Sequence, residues 1–320
     1  MSQEITVHPV TVPAAVTPEA AQGQTAGSFF AGALRTNGLE PSDGDVLVVS
    51  SKLVSFFEGG LVRLEDVQPS RKARFLGRAF DRDPKKLQVL METGRVLIVL
   101  PLKRILAIPS VRRTMVERSP NPEAMLRGFS SVNKNTFIVR THAAYIDEAG
   151  IDHTNSPEEF VTLLPEDPCR LSREIREGIQ DEFGVKVAVI LTDTATSVGR
   201  VGSQDVAIGY SGIDPITRET FVPDLFGIPR AGGIDLVIDS ISGMAGLVMG
   251  QTIEKTPIVV VRGLSYQPER SDELPGMEAV SWPAGTEWKF ALLTIFSTLK
   301  LWFGNLIACQ PKTKRSRVRS

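Results

Sequence analysis

Short apolar runs rich in valine and isoleucine recur along the chain, separated by stretches whose apolar residues return at helical spacing. "GDVLVVSSKLVS" predicts a strand entered from a Gly-Asp turn. "RVLIVLP", "NTFIVRT", "VKVAVILT" and "TPIVVVRGL" predict further strands of buried type. A second short run, "DVAIG", follows the fourth of these after a polar loop. Between the strands, "AQGQTAGSFFAGALRTNG" predicts a helix ending at Gly38. "PSRKARFLGRAF" and "PKKLQVLMETG" predict two short helices, each with proline near its start. The clearest helix is "PCRLSREIREGIQDEFG": Asp167 caps it, Pro168 opens it, Gly184 stops it, and Leu171, Ile175, Ile179 and Phe183 form its apolar stripe. "IDLVIDSISGMAGLVMG" predicts a buried helix ending at Gly250. The first twenty residues have no clear period, and residues 103–134 form a basic, polar connection without a predicted element. Strands and helices mix throughout, so the fold class is α/β, or mixed α+β. There is no internal repeat.

Composition narrows this picture. The chain has 320 residues, 42% hydrophobic and 23% charged, an ordinary globular balance whose length suggests about two domains. A net charge of −1 leaves no general basic field for nucleic acid. Cys169 and Cys309 are far apart and match no metal spacing, so a reducing, cytoplasmic setting without disulfides is expected. Three histidines, His8, His142 and His153, are too few for a histidine-rich zinc site. The N-terminus lacks the charged-then-apolar start of a secretory leader. One end is unusual. Phe290–Cys309 is apolar apart from Lys300, Asn305 and a few hydroxyls, and "KTKRSRVRS" follows with five cations. Packing on the protein with a mobile basic tail is the favoured expectation, because Lys300 sits mid-run and Gly304 breaks it. Membrane association is the disfavoured alternative.

Four stretches place polar groups beside apolar runs. In "SSKLVSFFEGG", Ser50, Ser51 and Lys52 interrupt a strand; phosphate oxygens would partner them, or they lie on a solvated edge. In "YIDEAGIDHTN", Asp147, Glu148, Asp152 and Asn155 supply the oxygens a hard divalent cation takes, or form a solvated acidic loop. In "ILTDTATSVGRVGSQDVAIG", Asp193 ends a buried strand before a loop carrying Arg200, Gly202 and a second acid, Asp205. Such a carboxylate suits metal or phosphate chemistry, or caps a turn. In "MGQTIEKTP", Gln251 to Glu254 lie just past a helix end. No GxxxxGK[ST] loop, GxGxxG fingerprint or GxSxG elbow is present.

Taken in order, "GDVLVVSSKLVS", "THAAYIDEAGIDHTN", "LLPEDP", "REIREGI", "VILTDT", "DVAIGYSGI", "DLFG", "LVMGQ" and "PIVVVRGL" resemble the coenzyme F420 gamma-glutamyl ligase family across roughly residues 43–264. The resemblance implies a two-domain fold and an intertwined homodimer, with residues 1–42 a divergent lead and 265–320 a terminal segment. It implies metal ligation by Asp152, Asp193, Thr194 and Gln251, with two divalent ions, Mg²⁺ or Mn²⁺, and a monovalent cation as an option. It implies nucleotide contacts at Ser51, Lys52, Asn155 and Gly250, with GTP or ATP as co-substrate. Arg200, retained from the family's substrate loop, takes the catalytic role of clamping an anion. The implied reaction adds glutamate to a phosphate-bearing acid such as coenzyme F420-0 through an acyl phosphate. Departures accompany these matches. "TSVGRVGS" lacks the family loop's first arginine, tryptophan and glutamine; Phe56 replaces a lysine; Asp239-Ser240 replaces an Asp-Glu pair. The alternative is therefore a catalytically weakened paralogue that binds a nucleotide or phospho-ligand. Asp152 and Asp193, though 41 positions apart, are expected to meet in the fold.

Overall fold

The computed structural model of the chain describes residues 4–12, 23–131, 135–152, 156, 159–197, 202–217, 219, 221–229, 232–251, 253–270, 276–283 and 286–307. Two compact units result, Met1–Val280 and Ser281–Ser320.

The first unit is organised by a five-stranded sheet. Its strands are β1 (Thr6–Val10), β2 (Val46–Ser50), β8 (Ala188–Thr196), β9 (Ser203–Ser211) and β10 (Ile258–Arg262), in the order β1-β10-β2-β8-β9. Only β2 and β8 pair in parallel. The alternation of side chains along a strand assigns the two faces. Leu47 and Val49 of β2 face one apolar cluster, which contains Phe30 and Leu34 of helix α1 (Ala26–Thr36) and Leu171, Ile175 and Ile179 of the helix at Pro168–Phe183. Val46 and Val48 face the other cluster, with Ile238, Ile241, Ala245 and Met249 of the helix at Val237–Met249. The sheet is thus buried on both sides, which explains why its central strands read as continuous valine-isoleucine runs rather than alternating ones.

Between β2 and β8 the chain builds α2 (Ser51–Ser55), β3 (Leu61–Arg63), α3 (Arg71–Phe80), α4 (Pro84–Thr93) and β4 (Arg95–Leu100). Then come α5 (Leu102–Leu106), α6 (Pro109–Arg118), α7 (Pro122–Ser131), β5 (Thr136–Thr141), β6 (Ala144–Asp147) and β7 (Phe160–Thr162). Strands β4-β5-β6 form an antiparallel sheet, and β3 pairs with β7. Helix α8 (Pro168–Phe183) is capped as the sequence predicts: the Asp167 side chain accepts from the Arg170 N–H, and Gly184 follows in the left-handed region. Helix α9 (Val237–Met249) starts three residues later than its apolar run and buries only one face, leaving Leu247 exposed.

Three expectations are corrected. Residues 103–134 were read as a connection, yet residues 102–131 hold α5 to α7. The strand in "GDVLVVSSKLVS" stops at Ser50, and Ser51 to Ser55 turn into α2, so Ser51 and Lys52 lie at a helix start rather than mid-strand. Asp193 does not end its strand: β8 runs on to Thr196, because its threonines are β-branched and pair across a hairpin with β9.

The second unit contains helix α10 (Thr286–Ile307). Among the described residues, no helix is long and apolar enough to cross a membrane.

Candidate functional site

A cavity of about 630 Å³ opens where β2 gives way to α2, and β8, the β6–β7 connection and the end of α9 complete its wall. Ser51, Lys52, Asp152, Asp193, Thr194, Gly250 and Gln251 all line it. Seven positions singled out in the sequence therefore meet in one place. Asn155 and Arg200, and His153 with them, lie outside the described residues.

The start of α2 ties two distant acids together. Ser51 is buried, and its Oγ donates to Asp193 Oδ1 at 3.0 Å. Lys52, one position on, sets its Nζ 2.5 Å from Asp152 Oδ2. Asp152 is held by its backbone, which exchanges hydrogen bonds with Thr162 of β7 at 3.2 and 3.0 Å. The two carboxylates thus belong to one wall and are bridged by neighbouring residues of a single helix turn.

Gly150 brings that wall close. It follows Glu148 and Ala149, and all three take positive φ, at 53°, 57° and 68°. A β-carbon at Gly150 would lie 2.8 Å from Asp193 Oδ2 and 2.7 Å from Leu164 Cγ. Only glycine accepts both the left-handed backbone and the contact. Three consecutive residues in this sparsely populated region mark the strained corner of the site.

Asp193 sits on β8 opposite Val206 of β9, just past a register shift between Leu191 and Thr192. Bulges of this kind re-aim side chains near functional sites. Burial pushes the Asp193 carboxyl up to about 7, against the opposing hydrogen bonds from Ser51 and from the Thr194 backbone. Asp205 nearby raises it further, and Lys52 lowers it. At neutral pH the site therefore holds a carboxyl poised between charge states.

Asp205 was noted in the sequence as a second acid but given no role. It is buried opposite Thr194 on β9. Thr194 Oγ1 donates to its Oδ1 at 2.8 Å and accepts from Gln251 Nε2 at 3.2 Å. Helix α9 makes room for it: a β-carbon at Gly246 would fall 2.3 Å from Asp205 Oδ2. The signal for Asp205 lay in strand pairing, because only the β8–β9 register sets it against Thr194. On the same bulged edge, the Asp239 carboxylate accepts from the Ala207 N–H at 2.9 Å, and burial raises its pKa.

The acids of "YIDEAGID" go to separate partners. Asp147 Oδ1 accepts from Thr196 Oγ1 at 3.1 Å. Glu148 forms a two-pronged ion pair with the buried Arg82, whose Nη1 lies 3.0 Å from Oε1. Asp152 faces Lys52. Among the described residues no three histidine, cysteine, aspartate or glutamate side chains gather closely enough to hold a metal ion. The donor set at the cavity is nonetheless all oxygen: two carboxylates, a threonine hydroxyl and a glutamine amide. Those donor types suit a hard divalent cation.

Gly250 ends α9 with φ 71° and lines the cavity beside Gln251. Glu254, Lys255 and Thr256, which follow, also line it, although the sequence singled out nothing beyond Glu254 there.

A family model described as F420-0:Gamma-glutamyl ligase matches residues 16–263. Coenzyme F420:L-glutamate ligase of Methanopyrus kandleri is 32% identical over 231 residues, which is 72% of this chain and 79% of that protein. The protein of the same name from Archaeoglobus fulgidus is 32% identical over 232 residues, 72% of this chain and 80% of the relative. That of Methanothermobacter thermautotrophicus is 28% identical over 241 residues, covering 75% and 83%.

Proposed function

Because the chain belongs to the F420-0:Gamma-glutamyl ligase family, whose members are amide-bond-forming acid–amino-acid ligases, we propose that it joins L-glutamate to coenzyme F420-0 or a similar phosphate-bearing acid. The observation that carries this reading is the pairing at the start of α2, where Ser51 meets Asp193 and Lys52 meets Asp152 across one cavity. It supports a phosphoryl-handling site rather than an isolated turn cap.

The reaction balances in two steps. The terminal phosphoryl group of GTP or ATP moves to an oxygen of the substrate carboxylate, giving an acyl phosphate and a nucleoside diphosphate. The glutamate amine then attacks the acyl carbon, the amide bond forms, inorganic phosphate leaves and the amine loses its proton to solvent or a site base. Lys52 offers its charge to a nucleotide phosphate, and the α2 start presents Ser51 beside it. Arg200 clamps the acid substrate's anion. Asn155 and Gly250 contact the nucleotide.

Asp152, Asp193, Thr194 and Gln251 would hold Mg²⁺ or Mn²⁺, and Asp205 would orient the Thr194 hydroxyl. Such ions supply neutralisation of the charge gathered by phosphates and carboxylates. The pKa of Asp193 near 7 fits a carboxylate waiting for a cation to compensate it.

The two-domain arrangement and homodimer belong to the same proposal. The homodimer is supported by an exposed apolar stretch, Phe221, Val222, Leu225, Phe226 and Ile228, that a second copy would cover.

The experiment is nucleoside diphosphate release with F420-0 and glutamate. Release that needs both, with a product heavier by one glutamyl residue, is expected. Diphosphate release with no glutamyl product when F420-0 and glutamate are both present would refute the ligase reading, and nucleotide binding without turnover would leave the catalytically weakened paralogue.

A further inference from the structure

Among the described residues, the wall of the cavity holds six acids, Asp147, Glu148, Asp152, Asp193, Asp205 and Glu254, and two cations, Lys52 and Lys255. Lys52 is committed to Asp152. Lys255 lies in the connection from α9 to β10 and is exposed. Among the described residues its ammonium group has no hydrogen-bond or ion-pair partner.

The backbone at Lys255 is strained. Its φ is 58°, in the left-handed region that a β-carbon penalises. Such a state persists only where the surroundings over-determine it, and it marks ligand sites more often than chance. Here the chain is pinned on every side. The Lys255 carbonyl accepts from the Val12 N–H at 3.0 Å. The Thr256 hydroxyl donates to the carbonyls of Met249 at 2.8 Å and Val248 at 3.3 Å, closing the last turn of α9. The Pro257 carbonyl accepts from the Ser50 N–H at 2.9 Å, which sets the segment beside the start of α2, where Ser51 and Lys52 lie. The Glu254 side chain folds over Gly250, whose added β-carbon would fall 2.3 Å from its Cδ.

We propose that Lys255 is a phosphate-binding residue of this cavity, its backbone fixed so that the ammonium group meets an anion entering from solvent. The identity of that anion rests on the ligase reading: it is a phosphate of the nucleotide or the phosphate of the acid substrate. A wall of six acids repels either one unless cations offset it. A lysine ammonium suits phosphate as a point charge with three donors. Lys52 can offer its charge only by sharing it with Asp152, whereas no described carboxylate takes the charge of Lys255.

The test measures binding of GTP, ATP and F420-0 separately, by calorimetry on the full chain with Mg²⁺. Lys255→Gly removes the ammonium and relieves the positive φ. It should melt no lower than the parent and bind one class of phosphate ligand about tenfold more weakly. Lys255→Asn, which also tolerates the left-handed region, should behave alike, and Lys255→Arg should restore most of the affinity. A loss confined to GTP and ATP assigns the lysine to the nucleotide, and a loss confined to F420-0 assigns it to the acid substrate. The loss should persist at physiological salt, where charges beyond about 8 Å are screened. A loss seen only at low salt overturns the proposal, because it shows a distant charge effect. Unchanged affinity of Lys255→Gly for all three ligands overturns it, as does a parent that binds none of them. A lower melting temperature in both small variants would assign Lys255 to structure and also overturn it. Failure of the ligase reading is distinct: the parent then binds these ligands and forms no glutamyl product.

Discussion

Replacing Asp193 with asparagine removes a charge that the fold holds at a disadvantage. The carboxyl titrates near 7 in the folded chain, against an unfolded value of 3.8. Folding therefore takes up a proton between those two values, so the folded state binds more protons there and stability falls as pH rises through that window. Below about pH 4 both states are protonated and no penalty exists; above about pH 8 the penalty is complete. A shift of about three units sets a ceiling of about 4 kcal/mol at 1.36 kcal/mol per unit. Asp193 lies at the wall of an open cavity, so solvent screening reduces this to about 1–2 kcal/mol. Asparagine keeps an oxygen to accept from Ser51. In buffer with chelator, Asp193→Asn is expected to melt at the same temperature as the parent near pH 4 and about 2–3 °C higher near pH 8. Added Mg²⁺ or Mn²⁺ should raise the parent's melting temperature at pH 8 and leave the variant's unchanged, while the variant loses ligation. A gain independent of pH, or a variant less stable than the parent at pH 8, would refute the argument that an uncompensated buried carboxylate governs this site.

Other perturbations test the surrounding wall. Gly150→Ala forces a β-carbon against Asp193 and Leu164 at positive φ, and should cost about 2–5 kcal/mol in denaturant unfolding; a change under about 0.5 kcal/mol would show that the strained corner relaxes freely. Arg82→Met leaves Glu148 without its two-pronged partner and should destabilise by about 3–5 kcal/mol, read by the same unfolding assay. Lys52→Ala should weaken nucleotide binding by about tenfold at low salt in calorimetry; unchanged affinity would show that Lys52 serves only Asp152. Arg200→Ala should remove turnover while leaving the melting temperature within about 1 °C of the parent; turnover that survives would show that Arg200 is not the substrate clamp.

The central sheet was legible because its valine-isoleucine runs are buried on both faces, and α8 because cap, proline and stop agree with its stripe. The site was legible as a list but not as a geometry. Asp193 read as a strand end because the apolar run stops there, whereas pairing with β9 carries the strand three residues further. That pairing also sets Asp205 against Thr194, a relation that no local pattern contains. Helices α6 and α7 escaped because little of them is buried, although Pro109 and Pro122 stand at their starts as opening signals. Strand β1 escaped because "TVHPV" is a short edge strand carrying a proline, a residue tolerated only at such edges.

The account's central claim is that the substrate acid is activated by phosphorylation before glutamate attacks. Isotope transfer tests it most directly. F420-0 labelled with ¹⁸O in the reacting carboxylate is turned over with GTP or ATP and glutamate, and the inorganic phosphate is analysed by mass spectrometry. The account predicts that each phosphate released carries one oxygen from the labelled carboxylate. Phosphate free of label, with amide product still formed, would contradict it.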